Sequence, residues 1–123
     1  MAGTITEERI ASYDLHTVIL TCVADVADGS FPDYDIVGLR EWFLYSIETV
    51  PGATNPTNNY DVYVRTSRGT DMMGGNGENR AEATGELAHP DTAPEMVDGT
   101  ITQSIENNGV NSANITIVYQ FIR

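Results

Sequence analysis

The chain has 123 residues, with 18 Asp and Glu against six Arg and no Lys, so its formal net charge is −12. Proteins that bind duplex nucleic acid or an anionic membrane surface need clustered Lys and Arg, and these six Arg are dispersed. We therefore expect no nucleic-acid partner and no membrane partner. With 41% apolar and 20% charged residues, the composition is that of a globular chain whose length suits one domain.

The N-terminal residues and the single cysteine bear on the compartment. Residues 1–9 contain neither a basic segment nor an apolar one, so they predict no secretory signal. The longest apolar run, residues 18–24, is far shorter than the ~20 residues that cross a bilayer. Cys22 has no second cysteine to pair with, which fits synthesis in a reducing cytoplasm.

The first half of the chain alternates apolar and polar residues with a period of two, which predicts strands. Residues 4–10 are compatible with the start of a helix or with an edge strand, and we favour the strand. Residues 15–24 are apolar on both faces, which favours a central strand. Residues 39–50 predict a long strand with room for a bulge. Simple alternation there places Phe43 and Ile47 on the same face.

The second half continues the pattern. Residues 60–66 predict a half-buried strand, and residues 100–105 predict another. The clearest strand is residues 115–122, one face of which is wholly apolar. That face comprises Ile115, Ile117, Tyr119 and Phe121. Because residues 107–112 have turn chemistry, the last two strands are predicted to form an antiparallel hairpin.

Several strands separated by turn signals predict an all-β fold, either an antiparallel β-sandwich or a jelly-roll-like barrel, with at most one short helix. Loops are expected at residues 25–35 and 51–59, which are rich in Asp, Gly, Pro and Asn. Residues 1–35, an N-terminal strand or arm with an acidic loop, are expected to belong to the same domain as the sandwich body, residues 36–123.

The chain offers little for catalysis, and we expect a protein that is not an enzyme and has no catalytic, cofactor-binding or metal-binding residues. His16 and His89 have no accompanying Ser or Cys motif, and Cys22 lies in an apolar run typical of a small buried hydrophobe. Carboxylates around Gly29 leave calcium open as an alternative to a solvated acidic loop, although their order differs from the helix-loop-helix calcium pattern. They are Asp25, Asp28, Asp33 and Asp35.

The most glycine-rich stretch lies within residues 69–80, and it is predicted to be a structural loop or a subunit contact. Its glycines permit backbone angles that other residues avoid, and Arg80 is expected to pair with a carboxylate of its own or a neighbouring subunit. The competing interpretation is an anion or phosphate loop, but no Lys follows the glycines. The residues assigned to this loop are Gly69, Asp71, Gly74, Gly75, Gly77, Asn79 and Arg80.

Three segments follow one another in an order that is specific enough to suggest a family. Residues 50–62 contain a Pro-Gly turn and then Pro-Thr-Asn-Asn-Tyr-Asp. Residues 69–80 contain Gly-Thr-Asp and then Gly-Gly-Asn-Gly-Glu-Asn-Arg, and residues 97–101 contain Val-Asp-Gly. This order resembles small structural proteins of tailed bacteriophage particles, and the resemblance covers residues 39–123. Met72 and Met73 stand where that group is expected to have aliphatic residues, a change that a core absorbs easily.

The resemblance implies a virion component, made in the host cytoplasm, and it supplies no catalytic residues. The role it favours is a capsid decoration or cement protein, a homo-oligomer with a trimer favoured, that binds the major capsid protein or another virion protein. A tail, neck or fibre component is the first alternative. The second alternative is a carbohydrate-binding module or small glycan hydrolase at the host surface, although Trp42 lies in an apolar strand and is expected to be core.

Overall fold

The computed structural model describes residues 3–91 and 93–123, which form nine β-strands and no helix. In chain order these are β1 (Thr4–Ala11), β2 (Leu15–Val23), β3 (Tyr34–Ile36), β4 (Phe43–Pro51), β5 (Asp61–Arg65), β6 (Glu86–Ala88), β7 (Glu95–Met96), β8 (Ile101–Glu106) and β9 (Asn114–Ile122). The same residues contain no helix with the length and apolar character needed to span a membrane.

The strands build two antiparallel sheets that pack face to face. The larger sheet has the order β1-β2-β9-β4-β6, with β7 also paired to β4, and the smaller sheet has the order β3-β8-β5. The all-β prediction is confirmed in its sandwich form, because neither sheet closes into a barrel. The predictions that β1 is an edge strand and that β2 is internal are also confirmed.

The core lies between the sheets and follows the predicted alternation. The apolar face of β9 is completely buried, as expected from its sequence. Strand β2 contributes Val18, Leu20 and Cys22 to the same core, and β5 contributes Val62 and Val64.

Strand β4 contains the predicted bulge, and the bulge changes which residues face the core. The register between β4 and β9 shifts between Leu44 and Ser46, so Tyr45 is the extra residue. Leu44 and Ile47 are therefore both buried, whereas Phe43 is exposed. The prediction that Ile47 shares a face with Phe43 is wrong, because simple alternation does not account for the inserted residue.

The predicted hairpin between the last two strands is also wrong. Strand β8 pairs with β3 and β5, whereas β9 pairs with β2 and β4 in the other sheet. Residues 107–113 thus cross from one sheet to the other, with positive φ angles of 65° at Asn107 and 56° at Ser112. Turn-forming residues suit such an arch as well as a hairpin, so composition does not distinguish the two.

A polar bridge crosses the core between the sheets. Gln103 of β8 is fully buried; its Oε1 accepts a 2.6 Å hydrogen bond from the Tyr119 hydroxyl, and its Nε2 donates to Cys22 Sγ at 3.6 Å. Burial raises the pKa of Cys22 to about 11 and raises the pKa of Tyr119 well above its ordinary value. Both groups are therefore protonated at neutral pH, and the bridge links β2, β8 and β9.

Candidate functional site

The glycine-rich loop runs along the outer edge of β5, on the side away from β8. The Val62 amide donates to the Gly77 carbonyl at 2.8 Å, and the Met72 amide donates to the Val64 carbonyl at 2.7 Å. Main-chain groups that would otherwise be unpaired at this sheet edge are thus satisfied by the loop. A covered edge does not recruit the strands of other chains.

Asp71 organises this loop from within. Its Oδ1 accepts hydrogen bonds from the amides of Val64 at 3.0 Å and Met73 at 3.2 Å, and its Oδ2 accepts one from the Gly75 amide at 2.9 Å. The carboxylate therefore occupies the place that a bound anion would take among these donors. A phosphate would have to displace it, which favours the structural interpretation of the loop over the anion-binding one.

The glycines of the loop serve two different needs. Gly77 passes so close to β5 that a Cβ atom there would lie 2.2 Å from the Val62 carbonyl oxygen. Gly69, Gly74 and Gly75 instead adopt positive φ angles of 88°, 60° and 88°, which glycine accepts without steric cost.

Asn79 and Arg80 close the loop against the start of β5. Asn79 has a φ of 57°, and its main-chain N–H donates to Asp61 Oδ1 at 2.9 Å. The Arg80 side chain is only 12% exposed, and its Nε lies 3.9 Å from Glu86 Oε1. Its Nη1 is buried with no hydrogen-bond partner among the described residues. Arg80 thus lies near a carboxylate of its own chain, and a contact with a neighbouring subunit remains a prediction.

The two histidines lie in separate places and pack against aromatic rings. His16 on β2 packs edge-on against Trp42 with 5.3 Å between ring centroids, and burial is the main cause that lowers its pKa. His89 packs similarly against Tyr45 at 5.4 Å. Trp42 is buried and is also covered by the Arg123 guanidinium, 4.2 Å from its ring centroid. Its ring therefore cannot serve as an open platform for a sugar.

The acidic loop between β2 and β3 uses its carboxylates to hold its own backbone. Asp25 Oδ1 accepts hydrogen bonds from the amides of Ala27 and Asp28, and Asp28 Oδ1 accepts from both the amide and the hydroxyl of Ser30. Within residues 3–91 and 93–123, no three His, Cys, Asp or Glu side chains are grouped so that they could hold a metal ion.

A row of apolar side chains crosses the outer face of the larger sheet, and sequence reasoning missed it. The strand pairings place its members side by side on four neighbouring strands, β2, β9, β4 and β7. We call them the apolar row: Leu15, Ile122, Phe43 and Met96. Leu15 is 41% exposed, Phe43 37% and Met96 53%. The sequence feature that could have revealed this row is the presence of apolar residues on both faces of β2 and β9.

A polar depression of about 260 Å³ lies near one end of this row. Its lining includes Arg68 and Asp98, whose Nη2 and Oδ2 atoms form a 2.7 Å ion pair. Thr66 and Thr70 add hydroxyl groups to its lining, and Glu95 adds a carboxylate. The depression thus offers donors and acceptors to a polar ligand.

Comparison with known proteins assigns no family. The chain matches no protein-family model, and it matches no curated protein sequence. A function for this chain has to be argued from its residues and its fold.

Proposed function

We propose that this chain is a structural component of a tailed-phage particle, and specifically a capsid decoration or cement protein that binds the head surface as a homo-oligomer. The order of its three characteristic segments supports the proposal, because it resembles that of small phage structural proteins. The observation that carries the docking role is the apolar row. Adjacent apolar side chains exposed on one face of a soluble protein are a feature of interaction sites.

The geometry of the apolar row suits contact with another protein. Four strands spaced about 4.8 Å apart carry the row roughly 15 Å across a continuous sheet face. Apolar and aromatic side chains at the centre of a contact are typical of protein interfaces. In another row of the same face, Glu8 and Glu48 flank Ile19 and Val118. Carboxylates beside an apolar centre suit a partner surface with basic residues at its rim.

Two of the sheet edges are covered, which supports a subunit that docks through the outer face of the larger sheet instead. The glycine-rich loop covers β5, and the short strands β6 and β7 cover the outer edge of β4. At these two edges the cover prevents non-specific strand pairing before assembly. The proposed partners are the major capsid protein or another virion protein, and the proposed location is the virion.

A tail, neck or fibre component would use the same module and is the alternative proposal. The polar depression favours a second alternative, a carbohydrate-binding module that contacts the host surface. We favour a protein-docking role without enzymatic activity, because the exposed apolar row suits a protein partner better than a sugar.

The test is binding of the purified chain to particles of the encoding virus from which this protein has been removed. We expect saturable co-sedimentation with heads, and we expect the double variant Leu15→Ser/Phe43→Ser to bind at least about tenfold more weakly, since it loses two central apolar contacts. Val26→Ser is the control, because Val26 is also exposed but lies in the loop after β2.

Failure of the wild-type chain to bind heads would contradict the decoration role. Unchanged binding of the double variant would contradict docking through the apolar row. Circular dichroism of each variant establishes that it keeps its β-rich fold, so that lost binding is not lost folding.

A further inference from the structure

Strand β1 is a long sheet edge that the described residues leave uncovered. It pairs with β2 on one side, and no strand in the described part of the chain pairs with its other side. Its eight residues, Thr4–Ala11, contain no proline, and its register with β2 is free of bulges. A long regular edge is a template for pairing with another strand.

Strands β1 and β2 form a hairpin, and the pattern of its main-chain hydrogen bonds shows which residues of β1 face the free side. The Ser12 amide donates to the Leu15 carbonyl at 2.8 Å. In an antiparallel pair, hydrogen-bonded positions alternate with non-bonded ones. Residues Thr4, Thr6, Glu8 and Ile10 therefore bond to β2. The main-chain groups on the free side belong to Ile5, Glu7, Arg9 and Ala11.

Two of the free-side residues carry opposite charges. Glu7 and Arg9 form an ion pair with each other, and the Tyr34 hydroxyl donates to Glu7 Oε1 at 2.6 Å. Both side chains lie on the core-facing side of β1, opposite Leu20 and Val18 in the register. In an antiparallel contact between two copies of this strand, each of these charges can face its opposite.

We propose that β1 pairs antiparallel with β1 of a second copy, about a two-fold axis that passes through Glu8. In this register Glu7 lies opposite the partner's Arg9, and Ile5 lies opposite the partner's Ala11. All four residues on the free side then exchange main-chain hydrogen bonds, and two cross-strand ion pairs form. An axis through Glu7 would instead place the two Glu7 carboxylates directly opposite each other.

This register has one unfavourable contact, because Glu8 lies opposite the partner's Glu8 on the outer face. Like charges at directly opposed positions are destabilising, so Glu8 limits the affinity of the pair. The axis is perpendicular to the sheet, and the two larger sheets therefore become one continuous sheet with both apolar rows on the same side. The inference does not rest on the virion role, because self-association is measured without any particle.

Sedimentation velocity of the full chain, from about 1 to about 100 µM, tests the proposal. We expect a monomer–dimer equilibrium for the wild type. In the Arg9→Glu variant, Glu7 faces the new carboxylate at position 9 of the partner, and the two-fold axis repeats this repulsion. We expect the variant to weaken the dimer at least about tenfold. The charge swap Glu7→Arg/Arg9→Glu restores opposite charges at both contacts and should restore the dimer. Glu8→Thr removes the like-charge contact and should strengthen the dimer several-fold.

Ala11→Pro tests the main-chain pairing separately from the charges. It removes a free-side N–H while leaving the hydrogen bonds to β2 in place, so we expect the dimer to dissociate in a folded chain. A wild type that stays monomeric at the highest concentration, a trimer, or a dimer that neither Arg9→Glu nor Ala11→Pro weakens would overturn the proposal.

Discussion

At the residue scale, Gly77 shows how a close main-chain approach fixes the choice of a glycine. A methyl group at this position would lie 2.2 Å from the Val62 carbonyl oxygen. We therefore expect Gly77→Ala to lower the free energy of unfolding by about 1–3 kcal/mol, since the loop or β5 must shift. Urea denaturation measures the change. Gly99→Ala is the control, because a Cβ atom there meets nothing within 4 Å, and equal losses in both variants would contradict this account.

The buried bridge at Gln103 gives a second prediction at this scale. Tyr119→Phe leaves the Gln103 Oε1 atom without its 2.6 Å donor inside the core. Removing one partner of a buried hydrogen bond costs about 1–3 kcal/mol, and we expect a loss of unfolding free energy in that range. Tyr63→Phe serves as the comparison, since its hydroxyl donates to Glu78 at an exposed site and should matter by about 0.5 kcal/mol or less.

Cys22, which accepts a hydrogen bond in the same bridge, makes the stability of the fold depend on pH. Burial raises the pKa of its thiol from 9.0 to about 11, so the folded chain holds the proton more tightly than the unfolded chain does. The contribution of this pKa difference to the free energy of unfolding is fully present below pH 9. It is lost as the pH rises through 11, by at most about 1.4 kcal/mol per pH unit. We expect the Cys22→Ala variant to lose less stability than the wild type between pH 8.5 and about 10.5. An identical loss in both proteins would show that Cys22 does not contribute.

At the element scale, the loop that covers β5 depends on Asp71. Asp71→Ala removes the acceptor of three main-chain amides, those of Val64, Met73 and Gly75. We expect these three amides to exchange with deuterium faster than in the wild type, while the amide of Leu20 in β2 keeps its rate relative to global unfolding. Unchanged exchange at Val64 would show that the carboxylate is not what holds the cover in place.

Local alternation was enough to predict six of the strands but not their partners. Strands β3, β6 and β7 have only two or three residues, too few to display a period of two. The destination of β8 depends on contacts with β3 and β5, which are distant in sequence. For this reason a turn-like segment before β9 suggested a hairpin where the chain crosses between sheets.

The same limit applies to the candidate sites. The glycine content of residues 69–80 predicted a loop with special backbone geometry, and those angles are present. The sequence could not show that the loop lies on the edge of β5, because which side of β5 stays free depends on the pairing of β5 with β8, which is distant in sequence. The apolar row was missed because its four members come from four strands that only the folded sheet brings together.

At the scale of the whole molecule, the surfaces differ in the contacts they allow. The edges beside β5 and β4 are covered, while the outer face of the larger sheet exposes the apolar row and β1 leaves its main chain free. A net charge of −12 opposes non-specific association between copies. The exposed face and the free edge are the two surfaces at which we propose specific contacts, in keeping with the proposed role as a subunit of an assembly.

The number of copies in purified particles of the encoding virus tests the proposed function most directly. Quantitative mass spectrometry against the major capsid protein gives this ratio. A decoration protein that follows the symmetry of the head is predicted to be present in hundreds of copies per particle. A dozen copies or fewer would move the chain to the tail or neck, and its absence from particles would contradict the virion role altogether.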